Sequence, residues 1–277
     1  MSRAVEANPY APRIVRLGHV IDETPTIKTF CFDLDEPIAF RAGQFVQLGV
    51  PGLGEGPFTP SSSPLDPKHL EVTVLRTGLV TERLHRMAAG EACTLRGPYG
   101  KGFPVEKLPG KEVLVVGGGV GLAPLRALIY KLLSMTDQLK KVVIKNGARE
   151  SAELIFRRQY AEWAAHDKVS MEVAIDKPEP GWPGKVGVVT TLLDSIGSEV
   201  DIPNAYAFSC GPEIMLKFVT QALLEKGFKP EQIYLSMNRR MSCGIGKCGR
   251  CNIGPYYLCK DGPDICYAKI KDYPNVF

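Results

Sequence analysis

From about residue 11 to 106, apolar and polar side chains alternate in short runs broken by turn residues. "TIKTFCFDL", "FVQLGV" and "LEVTVLR" carry the alternation, with Gly and Pro between them. A period of two sends successive side chains to opposite faces of a strand, so this stretch is expected to form a small antiparallel barrel or sandwich. One helical patch, "TERLHRMAA", interrupts it. From about 107 to 227 the rhythm changes. "EVLVV" and "KKVVIKNGAR" are expected as strands, and "LAPLRALIYKLLSM" and "AELIFRRQYAEWAAH" as helices. "KVSMEVAI", "VVTTLLDSI", "AYAFSCG" and "EIMLKFVTQALLEKG" continue the alternation. Strands alternating with helices predict a parallel sheet covered on both faces. From about 228 onward there is little periodicity, much Gly and Cys, and no sizeable apolar face. Such a piece needs a staple. Residues 1–10 are expected to be an N-terminal extension.

The chain has 277 residues, 44% hydrophobic and 23% charged, which suits a globular protein with a real core. Its net charge of +4 is mild and scattered, without the Lys/Arg block that tracks a phosphate backbone, so nucleic acid is not expected as a partner. The start "MSRAVEANPYAPR" has no apolar run of the signal-peptide kind. The longest uncharged apolar run, 113–125, falls well short of the roughly 20 residues that span a bilayer. No membrane insertion and a cytoplasmic location are therefore expected. In that compartment clustered cysteines hold metal or do redox chemistry more often than they form disulfides.

Such a cluster lies near the end. "MSCGIGKCGRC" (241–251) holds Cys243, Cys248 and Cys251, and Cys259 follows in "LCKDGPDICY". The spacing C-x4-C-x2-C-x7-C begins like the plant-type ferredoxin run for a 2Fe–2S cluster. Glycines at 244, 246 and 249 let the backbone wrap closely and turn N–H groups toward the sulfurs. A structural zinc site is the rival. Zinc usually takes two ligand pairs from separate turns, whereas here a run of three has one distant partner, which fits the cluster better. Cys266 is a spare thiol able in principle to replace Cys259; the "CKDGP" context favours Cys259.

"VLVVGGGVGLAPLRALI" places Gly117, Gly119 and Gly121 directly after a strand and before a helix. Such a turn lets a phosphate approach backbone N–H groups at a helix N-terminus. The third Rossmann glycine would fall on Leu122, and "NGAR" stands where an acidic residue would hold a ribose. On these residues alone, a phosphate site and a plain strand–helix turn both remain open.

The order of pieces narrows the choice. "AGQFVQL" precedes "EGPFTPSSSP", then come "RTGLVTERL", "RGPYGKGF", the glycine turn and "CGP" at 210–212. This order resembles the ferredoxin–NADP reductase superfamily, in which an antiparallel β-barrel binds flavin and an α/β domain binds NAD(P)H. The resemblance covers about residues 11–263. It implies an FAD-binding barrel over 11–106, an NAD(P)-binding α/β parallel-sheet domain over 107–227, and a small irregular 2Fe–2S domain over 228–277. The family's flavin motif, Arg-x-Tyr/aromatic-Ser, falls on Gly56, Pro57, Phe58 and Thr59. The resemblance thus places Phe58 near the flavin ring and the Thr59 hydroxyl opposite N5, with the family's arginine missing at Gly56. "GLVT" matches the second phosphate loop and implies donors from Gly78, Val80 and Thr81, with Arg76 supplying charge. Cys210, with Gly211 and Pro212, is implied beside the nicotinamide, and Asn146, Gly147 and Arg149 on the adenosine side.

"YLSMNRRMSCGIGKC" and "CKDGP" resemble one branch most closely. It holds the gamma subunits of cytoplasmic NiFe hydrogenases and sulfur reductases, the corresponding subunit of anaerobic sulfite reductase, the small subunit of flavin-bifurcating transhydrogenases and the electron-transfer subunit of dihydroorotate dehydrogenase. The linker before Cys259 is shorter than in the dihydroorotate branch, which favours the hydrogenase-gamma kind. The implied function is electron transfer between NAD(P)H, FAD and a 2Fe–2S cluster, and on to or from catalytic and further iron–sulfur subunits. Cofactors carry such chemistry, so no His/Asp/Ser constellation is needed, and His19, His69, His85 and His166 sit in no motif. A stand-alone NAD(P)H–ferredoxin reductase, and a redox-sensing module that binds nucleotide and zinc, stay open as alternatives.

Overall fold

The computed structural model describes residues 8–277, so most of the expected N-terminal extension and of the stretch read against a signal peptide lies outside the described residues. The first strands are β1 (Arg13–Arg16), β2 (His19–Thr24), β3 (Ile27–Asp33), β4 (Phe45–Val50), β5 (Gly54–Phe58) and β6 (His69–Leu75). Helix α1 (Leu79–His85) and strand β7 (Ala92–Tyr99) complete this half. The strands pair antiparallel in two sheets, β1-β7-β4-β5 and β2-β3-β6. The period of two explains the packing: Phe30 and Phe32 of β3, Val46 and Leu48 of β4, and Val72 and Val74 of β6 all point into one apolar interior.

The second half runs β8 (Glu112–Gly118), α2 (Leu122–Leu133), β9 (Lys141–Ala148), α3 (Tyr160–Ala164), β10 (Val169–Ile175) and β11 (Lys185–Val186). It continues with α4 (Ile196–Glu199), β12 (Ala205–Cys210), α5 (Glu213–Glu225) and β13 (Ile233–Ser236). The last elements are β14 (Asn252–Ile253), β15 (Tyr256–Tyr257), α6 (Leu258–Asp261), β16 (Asp264–Cys266) and α7 (Tyr267–Ile270). One seven-stranded sheet has the order β11-β10-β9-β8-β12-β13-β16, parallel throughout except that β16 runs against β13. The continuous apolar run of β8 reflects burial on both faces. Val113 and Val115 join the core shared with the barrel and α2, and Leu114 and Val116 join the core under α5.

Two expectations need correction. The chain after about residue 228, expected to have no sizeable apolar face, lends β13 and β16 to the main sheet. Its Ile253, Leu258, Ile265, Ile270 and Val276 pack with Leu114, Val116 and Leu216 in one core. The long helix expected over 152–166 shrinks to α3. Phe156 takes a left-handed backbone conformation (φ 58°), which breaks the helix, and its N–H donates to Glu23 Oε2 of the barrel at 3.0 Å. A tertiary hydrogen bond outweighs local propensity there. The stretch 188–196 likewise forms a 3₁₀ turn and the short α4. No helix among the described residues is long and apolar enough to cross a membrane.

Candidate functional site

The chain leaves β8 toward β9 on one side and meets β12 on the other, so the carboxyl ends of β8 and β12 form the crevice where open α/β sheets take ligands. Gly117 is paired with Asn146 on one side and Cys210 on the other. The turn from Gly117 to Gly121 feeds α2, whose twelve residues start with Pro124 in the first turn. Gly121 has ordinary helical dihedrals, yet a Cβ there would lie 2.3 Å from the Cys210 carbonyl oxygen. The two turns therefore abut, and the nucleotide turn and the Cys210-Gly211-Pro212 turn line one cleft. Asn146 donates from Nδ2 to Tyr160 Oη at 3.1 Å, while its buried Oδ1 has no partner. An orphaned acceptor beside a glycine turn fits a bound nucleotide that donates to it. Arg149 is exposed just past the end of β9, on the rim. Burial pushes the Cys210 thiol up to about 12, so it stays neutral at physiological pH.

Phe58 ends β5 opposite Val46 of β4, and Thr59 follows; both are half-buried. Ser61 is fully buried, its hydroxyl 2.8 Å from Thr73 Oγ1, and the hydroxyl of Ser62 is buried without a partner. This second orphan lies next to the flavin motif and fits a polar ring edge placed there. Arg76 is exposed beyond β6. The Thr81 hydroxyl, expected as a phosphate donor, is engaged otherwise. It accepts the N–H groups of Thr77 and Gly78 at 2.9 Å each and donates to the Gly78 carbonyl at 2.9 Å. It caps α1 and takes up the Gly78 N–H, so the main-chain N–H groups of Val80 and Thr81 are left as candidate donors.

Sequence reasoning missed the contact between the two halves. Arg126 of α2 is buried and pairs with Glu71 of β6. It also donates to the Ser61 carbonyl at 3.1 Å and to Gln159 Oε1 at 2.8 Å, and its guanidinium lies 4.4 Å from the Phe156 ring centre. A lone arginine inside the apolar run "LAPLRALI" was the available signal. Beside it Cys31, His69 and Glu71 bring three ligand atoms within 4.8 Å of one another. Arg126 already supplies the positive charge that Glu71 needs.

The cluster thiols fall into two pairs. Cys243 and Cys248 are neighbours, and Cys251 and Cys259 are neighbours. No three of the four have sulfurs within 4.8 Å of one another. Backbone N–H groups face the sulfurs: Gly246 to Cys259 at 3.1 Å, Lys247 to Cys243 at 3.3 Å and Cys259 to Cys251 at 3.5 Å. Burial alone would raise the Cys243 thiol, but N–H groups of Cys248, Ile245 and Lys247 bring it down to about 6. Burial and the adjacent Cys251 thiol push Cys259 up to about 12. Four thiols, three of them with an N–H group aimed at the sulfur, suit an iron–sulfur centre. Cys243, Cys251 and Cys259 are buried and Cys248 is exposed. Cys266 faces the carbonyls of Pro230 and Glu231, each at 3.6 Å, and packs against the core shared with the barrel, whereas Cys243, Cys251 and Cys259 belong to the other core.

The cluster segment is wedged against the barrel. Lys101 N–H donates to the Gly262 carbonyl at 2.8 Å, and Gly244, with φ 79°, leaves room for the Tyr99 ring. Asp264, paired with Ser236, presses its carboxylate on Gly43, where a Cβ would lie 1.8 Å from Oδ2. Neither Asp264 oxygen has a hydrogen-bond partner, and burial pushes this carboxyl well above the usual range. The folded chain therefore keeps a proton that the unfolded chain releases above about pH 4. Stability contributed at this position is lost as pH rises. Asp264→Asn is expected to raise the urea midpoint, by a margin that grows from about pH 4 upward. A margin independent of pH would contradict a protonated Asp264.

Residues 15–103 match the oxidoreductase FAD-binding domain, 115–221 the oxidoreductase NAD-binding domain, and 238–271 the iron–sulfur cluster binding domain of dihydroorotate dehydrogenase B. The chain is 35% identical to sulfhydrogenase 1 subunit gamma of Pyrococcus furiosus, over 97% of this chain and 95% of that one. It is 34% identical to a probable dihydroorotate dehydrogenase B (NAD(+)) electron transfer subunit of Methanocaldococcus jannaschii, over 94% and 91%. Among solved structures it is similar to an NADH-dependent reduced ferredoxin–NADP oxidoreductase, with a TM-score of 0.76, 24% identity and coverage of 95% and 93%. The chain thus carries FAD-, NAD- and iron–sulfur-binding parts and is an electron-transfer oxidoreductase. It belongs to the ferredoxin–NADP reductase superfamily, in the branch that holds sulfhydrogenase gamma subunits and dihydroorotate dehydrogenase B electron-transfer subunits.

Proposed function

We infer that this chain is the subunit of a cytoplasmic complex that moves electrons between NAD(P)H and a catalytic partner of the hydrogenase or reductase kind, through FAD and a 2Fe–2S cluster on Cys243, Cys248, Cys251 and Cys259. The observation that carries this reading is the grouping of those thiols two by two. Four sulfurs around a single zinc ion at about 2.3 Å lie about 3.8 Å apart, all within reach of one another. Two neighbouring pairs, of whose sulfurs no three lie mutually within 4.8 Å, suit two irons, one pair to each. The only exposed thiol of the four, Cys248, marks the side from which a partner approaches.

In this reading 11–106 holds FAD, 107–227 the nicotinamide nucleotide and 228–277 the cluster, with β13 and β16 lent to the nucleotide sheet. When bound, FAD would supply the exchange of electron pairs with the nicotinamide and of single electrons with the cluster. Phe58 and Thr59 would flank its ring, and Arg76 with the main-chain N–H groups of Val80 and Thr81 would take its diphosphate at the turn that Gly78 makes. Gly117, Gly119, Gly121, Asn146, Arg149, Gly211 and Pro212 line the nicotinamide nucleotide. The neutral Cys210 thiol is a small wall at the nicotinamide, not a nucleophile. The relatives named sulfhydrogenase gamma subunits support a hydrogenase-like partner, since the likeness spans nearly the whole of both chains.

Untagged chain purified anaerobically from its native source tests this. FAD, iron and sulfide are expected, together with a co-purifying catalytic subunit. Cys210→Ala is expected to slow reduction of the flavin by NAD(P)H at least about tenfold, a loss of about 1.4 kcal/mol of transition-state stabilisation, and to leave cluster-to-dye electron flow unchanged. A colourless protein with stoichiometric zinc, or a flavin species that travels as a lone chain, would refute the reading.

A further inference from the structure

We propose that Arg96 and Glu55, on the outer face of the flavin barrel, set the redox potential of the cluster, and that Gln47 positions its first loop. This rests on the cluster reading above. Gln47 of β4 and Arg96 of β7 are direct partners in the antiparallel pair, so their side chains leave the same face. Both are buried. Gln47 Nε2 donates to the Met241 carbonyl at 3.0 Å, and Arg96 donates to the carbonyls of Ser242 and Cys243 at 3.3 Å each. Three consecutive carbonyls leading into the first cluster cysteine are thus held by two side chains from another part of the fold. Arg96 is fixed in turn by Tyr99 Oη at 3.1 Å and by both carboxylate oxygens of Glu55, one of them at 2.9 Å from Nε.

A neutral donor would suffice to hold a carbonyl. The guanidinium does more, because it is charged at any pH the protein meets and is shielded from water, its side chain only 5% exposed. One electron added to the cluster adds negative charge. A fixed positive charge against the Cys243 peptide stabilises that state, the more so in a poorly screened interior. Glu55 opposes the effect, but its side chain is 32% exposed and water screens it further. The net field therefore favours the reduced cluster. Strand β4 carries the grip on Met241 and pairs with β5, which ends in Phe58 of the flavin motif, so flavin motif and cluster loop share one support.

The test is a redox titration of the intact flavin- and cluster-loaded chain, followed by electron paramagnetic resonance, with iron counted in each sample. Glu55→Gln is expected to move the cluster midpoint upward and Arg96→Met to move it downward. The double variant, which loses both charges, is expected between them, and Arg96→Lys nearer the parent than Arg96→Met. Gln47→Leu, which changes no charge, is expected to broaden the spectrum with a smaller shift. Should Arg96→Met fail to fold, the upward shift of Glu55→Gln tests the same field. A midpoint unmoved by Glu55→Gln at full iron content, or moved downward by it, would overturn the proposal and leave the pair as a structural clamp. A parent protein without any 2Fe–2S signal would instead sink the cluster assignment itself.

Discussion

Replacing Cys259 with serine is expected to empty the cluster and to loosen the whole of the chain's last part. Iron and sulfide, each expected at about two per chain in the parent, should fall close to zero. Cys259 is 1% exposed and sits in the core formed by Leu258, Ile265, Leu114 and Leu216. Its sulfur accepts the Gly246 N–H, so the thiol side of that loop is built around it. A cluster bound to the folded state alone adds its binding free energy to folding. Losing it, and burying a hydroxyl in its place, is expected to cost at least about 3 kcal/mol, which lowers Tm by roughly 6–12 °C in a chain of this size. Cys266→Ser is the matched control. Its thiol faces two carbonyls away from the other four, so iron content is expected to hold. Iron that survives in Cys259→Ser and disappears in Cys266→Ser would show that the two thiols had been assigned in the wrong order.

What the sequence disclosed depends on how local each signal is. β8, α2, β12 and α5 were legible because each carries its own period and its own turn residues within a dozen positions. The iron–sulfur segment was legible because metal chemistry spaces ligands closely: the four cysteines proposed to hold the cluster fall within seventeen residues, 243 to 259. The embedding of the cluster segment was not. Ile233 and Leu235 form a four-residue strand, and Ile265 sits on a three-residue one, too short to show a period. Their pairing is set by neighbours in the sheet and by the barrel. Arg96 and Gln47 were invisible for the same reason, since their acceptors are main-chain carbonyls 146 to 194 positions further on. No side-chain type announces a carbonyl. Thr81 shows the opposite failure. Its place in the phosphate-loop motif was visible, but its hydroxyl is consumed by its own helix cap, a local competition that motif matching ignores.

Gly121→Ala separates two physical effects that act with opposite signs. Gly121 has φ −63° and ψ −17°, a conformation every residue adopts, and it opens α2. Reduced freedom of the unfolded chain by itself favours alanine there by about 0.4–1 kcal/mol. Close approach says otherwise. The added Cβ would lie 2.3 Å from the Cys210 carbonyl oxygen, 2.5 Å from its carbonyl carbon and 2.6 Å from Gly211 Cα. All three are main-chain atoms of the strand end and turn across the cleft, so no side-chain rotation relieves the contact. Either α2 or the turn after β12 must move by several tenths of an ångström, and overpacking of this kind costs about 1–3 kcal/mol. The net expectation is a loss of about 1–2 kcal/mol in stability. Function is expected to suffer more than the fold, because the displaced groups are those that line the nucleotide cleft. KM for NAD(P)H should rise at least about tenfold, equivalent to about 1.4 kcal/mol of binding, while FAD and iron content stay at parent levels. Gly119→Ala gives the contrast: its φ of 55° strains an alanine, but its Cβ would meet nothing within 4 Å. That variant is expected to lose about 1 kcal/mol of stability with a much smaller change in KM. A Gly121→Ala protein that melts above the parent with an unchanged KM would mean that the nucleotide turn and the Cys210 turn do not abut.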